Sequence, residues 1–125
     1  MLEILGRLEV ARKTGAERLH HEGADLGTDL LEFWQWSTSD LVSNATRGRL
    51  AEYLVARALG LGTSDVRDEW AAYDLQTPSG IKVEVKSASF LQSWHQSKPS
   101  AITFITPATR AWDPATNVQS RDIRR

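Results

Sequence analysis

The sequence predicts an α/β domain, and three features carry that expectation. Residues 43–62 carry an amphipathic helical pattern, residues 81–88 alternate as a strand does, and TPSG at residues 77–80 joins that strand to the run WAAYDLQ. A chain of 125 residues and 14.0 kDa has room for one domain with one modest core. Its 41% apolar and 25% charged fractions exclude disordered, collagen-like and low-complexity classes. No apolar run approaches the roughly 20 residues of a membrane span. The start, MLEILGRLEVARK, lacks a basic segment followed by an apolar one, so no secretory signal is expected. Without cysteine there is no disulfide framework or thiolate metal site, and a cytoplasmic home is expected. A net charge of −1 neither announces nor excludes a nucleic-acid partner.

Taken in order, residues 1–28 are expected to form a surface helix or loosely attached arm, with Leu2, Leu5, Leu8 and Leu19 at weak helical spacing and a break at Gly23 to Gly27. DLLEFWQW then crowds Leu30, Leu31, Phe33, Trp34 and Trp36 together, a density that belongs in a core or an interface. Trp34, Trp36 and Trp70 are assigned to the core. The helix of residues 43–62 places Leu50, Ala51, Leu54, Val55 and Ala58 on one stripe, with Asn44 or Thr46 as its cap and Gly60 or Gly62 as its stop. Glu52 falls on the flank of that stripe.

The hairpin fixes a register. With Pro78, Ser79 and Gly80 as a three-residue loop, Thr77 faces Ile81, Leu75 faces Val83, and Asp74 stands opposite Glu84. Ile81, Val83 and Val85 share one face, and Lys82, Glu84 and Lys86 share the other. Facing carboxylates about 5 Å apart at Cβ repel, so something must neutralise them. Two such carboxylates and the Val85 carbonyl are hard oxygen ligands suited to Mg²⁺, with Mn²⁺ as a substitute. A cation there cancels the repulsion, activates water and stabilises charge on a phosphodiester, while Lys86 orients the water or stabilises the developing charge. The expected reaction is phosphodiester hydrolysis.

YDLQTPSGIKVEVKSA, preceded by RGRLAEYLVARAL, resembles the core of the PD-(D/E)xK nuclease superfamily over about residues 46–106. The resemblance implies a restriction-endonuclease-like core with N-terminal helices, a mixed sheet and an active-site hairpin. It implies that Asp74 and Glu84 are metal-binding acids, Lys86 the catalytic lysine and Glu52 the helix acid that completes the site. It further implies a metal-dependent nuclease acting on DNA. Tyr73 replaces the proline of the motif's name. The superfamily core is αβββαβ, and here the core is assigned to residues 29–106, with a third strand at 101–106 and a tail at 107–125. The C-terminal core elements are missing on this reading, which fits a truncated nuclease or an inactive nuclease-like module that binds nucleic acid or a protein. Pairing with a second copy is the expected cover for an open sheet edge.

FLQSWHQ is expected to form a short helical or irregular excursion, in which Trp94 stacks on bases and Lys98 meets phosphate. Arg47, unfavourable to the helix dipole so near its start, is a further candidate for phosphate. His20, His21 and His95 lack partners at ligand spacing and are assigned no metal.

Overall fold

The computed structural model describes residues 5–105 and 112–119. Two helices and three separate two-stranded antiparallel ribbons make up its regular structure, in the order β1 (Arg18–His21), β2 (Ala24–Asp29), α1 (Leu30–Thr38), α2 (Asn44–Ala58), β3 (Leu75–Gln76), β4 (Lys82–Val83), β5 (Trp112–Asp113) and β6 (Val118–Gln119). The α/β class stands, and the sheets among the described residues are short two-stranded antiparallel ribbons in place of the expected mixed sheet.

The first departure is the N-terminal segment. Residues 5–14 run without regular structure and residues 18–29 form the β1–β2 hairpin in place of a helix. The reason is local: Glu22 and Gly23 both take positive φ (49° and 80°), the backbone of a two-residue turn matched to the strand twist. What reads as a break is a turn. Arg18 reaches across the ribbon to Asp25, with Nε–Oδ2 and Nη2–Oδ1 distances of 3.0 and 3.1 Å. Asp29 then ends β2 and caps α1: its side chain accepts from the Glu32 amide at 2.9 Å, and Glu32 Oε2 accepts from the Asp29 amide at 3.2 Å.

The expected core is not where the apolar residues are. Ala56 is the one buried apolar side chain among the described residues. No residue of α1 is buried, Trp36 is 85% exposed, and Trp34 and Trp70 stay partly open. Trp34 and Leu31 pack on Gly15, whose φ of +95° favours glycine and where an added Cβ would come within 3.1 Å of the Trp34 ring. Trp70 meets Trp112 edge-on, centroids 4.7 Å apart.

Helix α2 forms as expected but is rotated. Its covered face centres on Ala51, Glu52, Val55 and Ala56, while Leu54 and Ala58 are exposed, so Glu52 lies within that face and not on its flank. Ser43, without a side-chain bond, is the N-cap in place of Asn44 or Thr46. Asn44 instead accepts from Arg47 Nη2 at 2.8 Å. Gly60 ends the helix at φ +67°, the Leu61 amide returning to the Ala56 carbonyl at 2.9 Å and the Gly60 amide to that of Arg57 at 3.2 Å.

The β3–β4 register agrees with the sequence reading: Leu75 pairs Val83 and Gln76 pairs Lys82. The Thr77 amide donates to the Ile81 carbonyl at 2.9 Å, the Gly80 amide to that of Thr77 at 2.9 Å, and Gly80 takes φ +89°. The strands are shorter than their alternation predicts, because residues 70–74 bend and the ladder stops at Val83. No strand forms at residues 101–105; the expected third strand ends at Thr106, outside the described residues. Beyond residue 108, where no further element is expected, β5 and β6 form a hairpin closed by Asn117 at φ +56°. No helix among the described residues is long and apolar enough to cross a membrane.

Candidate active site

The hairpin reaches one step beyond its ladder through a side chain. The Asp74 amide donates to the Val83 carbonyl at 3.2 Å, and Asp74 Oδ2 accepts the Val85 amide at 2.7 Å. A carboxylate thus takes the place of a strand carbonyl. This bond locks Asp74 against the Glu84–Val85–Lys86 segment, which is the neighbourhood expected from the register. Lys86 Nζ lies 2.9 Å from Glu84 Oε1, an ion pair of side chains two residues apart on one face.

Glu52 and Asp74 line one cleft of about 910 Å³ between α2, the irregular segment 60–68 and the β3 end of the hairpin. Arg67 joins them. Its Nε and Nη2 form a two-pronged pair with the Glu52 carboxylate, Nη2–Oε1 being 2.8 Å. The Glu52 side chain is only 12% exposed and that of Arg67 41%. Hydrogen bonding to Glu52 is the largest cause raising the Arg67 pKa above its ordinary value; burial opposes it, and the negative charges of Glu52, Asp74 and Glu69 add to it. Arg67 carries no sequence signal, since it sits in a segment without period, 15 residues from its partner. What could have pointed to it is Glu52 itself, an acid on a covered helix face that needs a cation.

The structure therefore brings Glu52 and Asp74 to one cleft, and Asp74, Val85, Glu84 and Lys86 to one hairpin. It does not bring Glu84, Val85, Lys86, Arg47, Trp94 or Lys98 to the cleft wall. Arg47 is engaged internally: Nη1 donates to the Val42 carbonyl at 2.7 Å and approaches Gln92 Oε1 at 3.4 Å. Gln92 and Gln96 both bond Ser100, and the Ser100 amide closes on the Phe90 carbonyl at 2.9 Å. These bonds build a compact irregular loop, resolving the FLQSWHQ expectation in favour of the irregular form. Trp94 and Lys98 stand exposed on it.

The oxygen atoms on the hairpin that could hold a cation are those of the Asp74 and Glu84 carboxylates and the Val85 carbonyl. Among the described residues no group of three or more His, Asp or Glu side chains forms a metal cluster. A small hard cation that keeps several waters fits a set of this size better than one needing an all-protein cage. Asp74 Oδ2 accepts the Val85 amide, and among the described residues Oδ1 takes no hydrogen bond.

Residues 13–121 match the family model of bacteriophage T4 endonuclease IV, and the chain belongs to that family. It is thus a member of a nuclease family whose substrate class is nucleic acid. No curated protein and no solved structure matches the chain.

Proposed function

We propose that this protein is a metal-dependent DNA endonuclease of the PD-(D/E)xK type, with Asp74, Glu84, Lys86 and Glu52 as its working residues. The observation that carries the reading is the Val85 amide held at 2.7 Å by Asp74 Oδ2, which couples the acid of one strand to the Glu-x-Lys triplet of the next. Family membership independently supports nuclease activity. Asp74, Glu84 and the Val85 carbonyl are the residues to hold Mg²⁺ or Mn²⁺. Bound there, the cation supplies charge neutralisation and a more acidic water. Lys86 is paired with Glu84 at rest, and its ammonium has donors to orient the attacking water and meet the charge that grows on the phosphate. Glu52 completes the acidic wall on the helix side. Trp94 and Lys98 give the 89–100 loop a base-stacking ring and a phosphate contact, and Arg47 anchors that loop to α2.

Lys86→Ala is expected to lower Mg²⁺-dependent cleavage of a labelled DNA oligonucleotide by about 10²–10⁴-fold, the usual weight of a positioned proton-transfer or charge-stabilising group, with the fold retained by circular dichroism. Unchanged cleavage would remove Lys86 from the mechanism. A second reading, a nuclease-like module that binds nucleic acid without cutting, is favoured by one observation: Lys86 and Arg67 already neutralise Glu84 and Glu52 within the chain. Salt-dependent DNA binding with no cleavage at any Mg²⁺ or Mn²⁺ concentration would select it.

The working form we propose is a homodimer in the cytoplasm. A compact 14.0 kDa monomer exposes about 6,700 Å², whereas this chain exposes 10415 Å², an excess of about 3,700 Å². Permanent homodimers bury about 2,000–5,000 Å² in total, or about 1,000–2,500 Å² of each chain, so a second copy would cover part of that excess. The most apolar exposed element is α1, where Phe33 and Trp36 project away from the face packed on Gly15. Residues 19–46 carry Glu22, Asp25, Asp29, Glu32 and Asp40 and no Lys or Arg, which repels phosphate and favours protein over nucleic acid as the occupant.

A further inference from the structure

The cleft beside the hairpin contains a guanidinium that the hairpin chemistry does not use. Its charged lining consists of Glu52, Asp65, Asp68 and Asp74 against Arg49 and Arg67, four acids to two bases. A wall with that balance repels a phosphodiester unless cations are displayed at the right place. Arg67 is so displayed. Glu52 grips Nε and Nη2, which fixes the plane of the guanidinium, and the side chain keeps two-fifths of its surface open. A guanidinium has five donors in a rigid fork, so among the described residues Nη1 and the second hydrogen of Nη2 remain for a ligand. Planar two-point recognition of this kind suits the two non-bridging oxygens of a phosphate. The same guanidinium lies within electrostatic reach of Asp74, the acid locked to the Glu84–Val85–Lys86 segment.

We infer that Arg67 binds a backbone phosphate of the nucleic-acid substrate beside the hairpin acids, and that Glu52 is a positioning residue that acts by orienting Arg67 and not by holding metal. The inference rests on the reading of this cleft as the nuclease site. Within that site the acids then have separate roles, Asp74 and Glu84 serving the cation and Glu52 serving the arginine. The physical ground for the division is the Glu52 carboxylate itself, both of whose oxygens are already bonded to Arg67.

The test uses fluorescence anisotropy of labelled single-stranded and duplex DNA oligonucleotides from 50 to 200 mM salt in Ca²⁺, with Mg²⁺ binding followed by calorimetry on the same proteins. Arg67→Gln is expected to weaken binding and to reduce the slope of log K against log salt by roughly 0.7–0.9, the signature of one lost phosphate contact. Arg67→Lys keeps the slope and loses affinity, because the charge survives and the fork does not. Glu52→Gln keeps the slope and Mg²⁺ binding, weakens DNA binding less than Arg67→Gln, and adds nothing further in the double variant. Arg67→Gln with the wild-type slope overturns the inference, and so does Glu52→Gln that loses Mg²⁺ binding while folded. Wild-type protein that binds and cuts DNA alongside either result sinks the inference alone; wild-type protein that binds neither DNA sinks the nuclease reading with it.

Discussion

The cleft region and the α1 region satisfy opposite halves of the protein's chemistry. Around the cleft, charged groups find partners within the chain: Arg67 with Glu52, Lys86 with Glu84, Asp74 with the Val85 amide. Around α1, apolar groups do not: Leu31, Phe33 and Trp36 are about half exposed or more on a helix that is well capped at its start. An apolar arc as wide as that of Leu30, Leu31, Phe33, Trp34 and Trp36 needs cover beyond the Gly15 contact. On the dimer proposed above, the candidate site is built by one chain, whereas the surface that stabilises the fold is completed by another. Substitutions in the cleft should therefore stop chemistry and spare assembly, and those on α1 should do the reverse.

The largest expected effect is at Asp74. Asp74→Asn keeps the side-chain carbonyl that the Val85 amide needs but removes the charge, and cleavage is expected to fall about 10³-fold or more, several kcal/mol of lost transition-state stabilisation. The oligomer seen by light scattering should not change. Next is Trp36→Glu, which sets a charge on the open side of α1. Dissociation into monomers and at least about 30-fold weaker self-association are expected by sedimentation, in line with loss of an aromatic anchor worth about 2 kcal/mol or more. A monomer of wild-type stability would show that α1 needs no cover from a second chain.

A smaller effect is expected at Gly15, which lies at φ +95° against the Trp34 ring. Gly15→Ala should cost about 1–2 kcal/mol from backbone strain alone, read as a lower urea midpoint. The smallest concerns pH. Glu17 accepts the Thr14 amide at 2.8 Å and the Gly15 amide at 2.9 Å, and these bonds lower its pKa from 4.5 to about 2. A lowered pKa stabilises the fold fully above about pH 4.5, and that support is lost as the pH falls toward 2. Glu17→Gln should reduce the difference between urea midpoints at pH 7 and pH 3, and an unchanged difference would show that this turn contributes nothing.

How much of this was legible in the sequence differs between the same two regions. The β3–β4 register was legible because Thr77, Pro78, Ser79 and Gly80 allow few turns, and a turn fixes every pair that follows. The extent of the strands was not, since alternation records which side chains can share a face and not how far a partner strand accompanies them. Helix α2 was legible in its extent, and Gly60, one of its two expected stops, ends it, while Ser43 and not Asn44 or Thr46 caps its start. Its rotation was not, because Arg67 draws Glu52 into the covered face from a segment that carries no pattern. The β1–β2 ribbon was hidden for another reason: Glu22 takes positive φ, a conformation rarely expected of a residue other than Gly, Asn or Asp. The crowding of Leu, Phe and Trp in α1 was visible, but composition does not say which chain provides the cover.

Everything proposed for the hairpin depends on its acids holding a divalent cation at the point where a nuclease needs it. Calorimetric titration of Mg²⁺ into wild-type protein and into Asp74→Asn, both shown to fold by circular dichroism, tests this directly. Saturable binding to wild type and its loss in Asp74→Asn are the expected results. Equal binding to the two proteins would contradict the proposed mechanism.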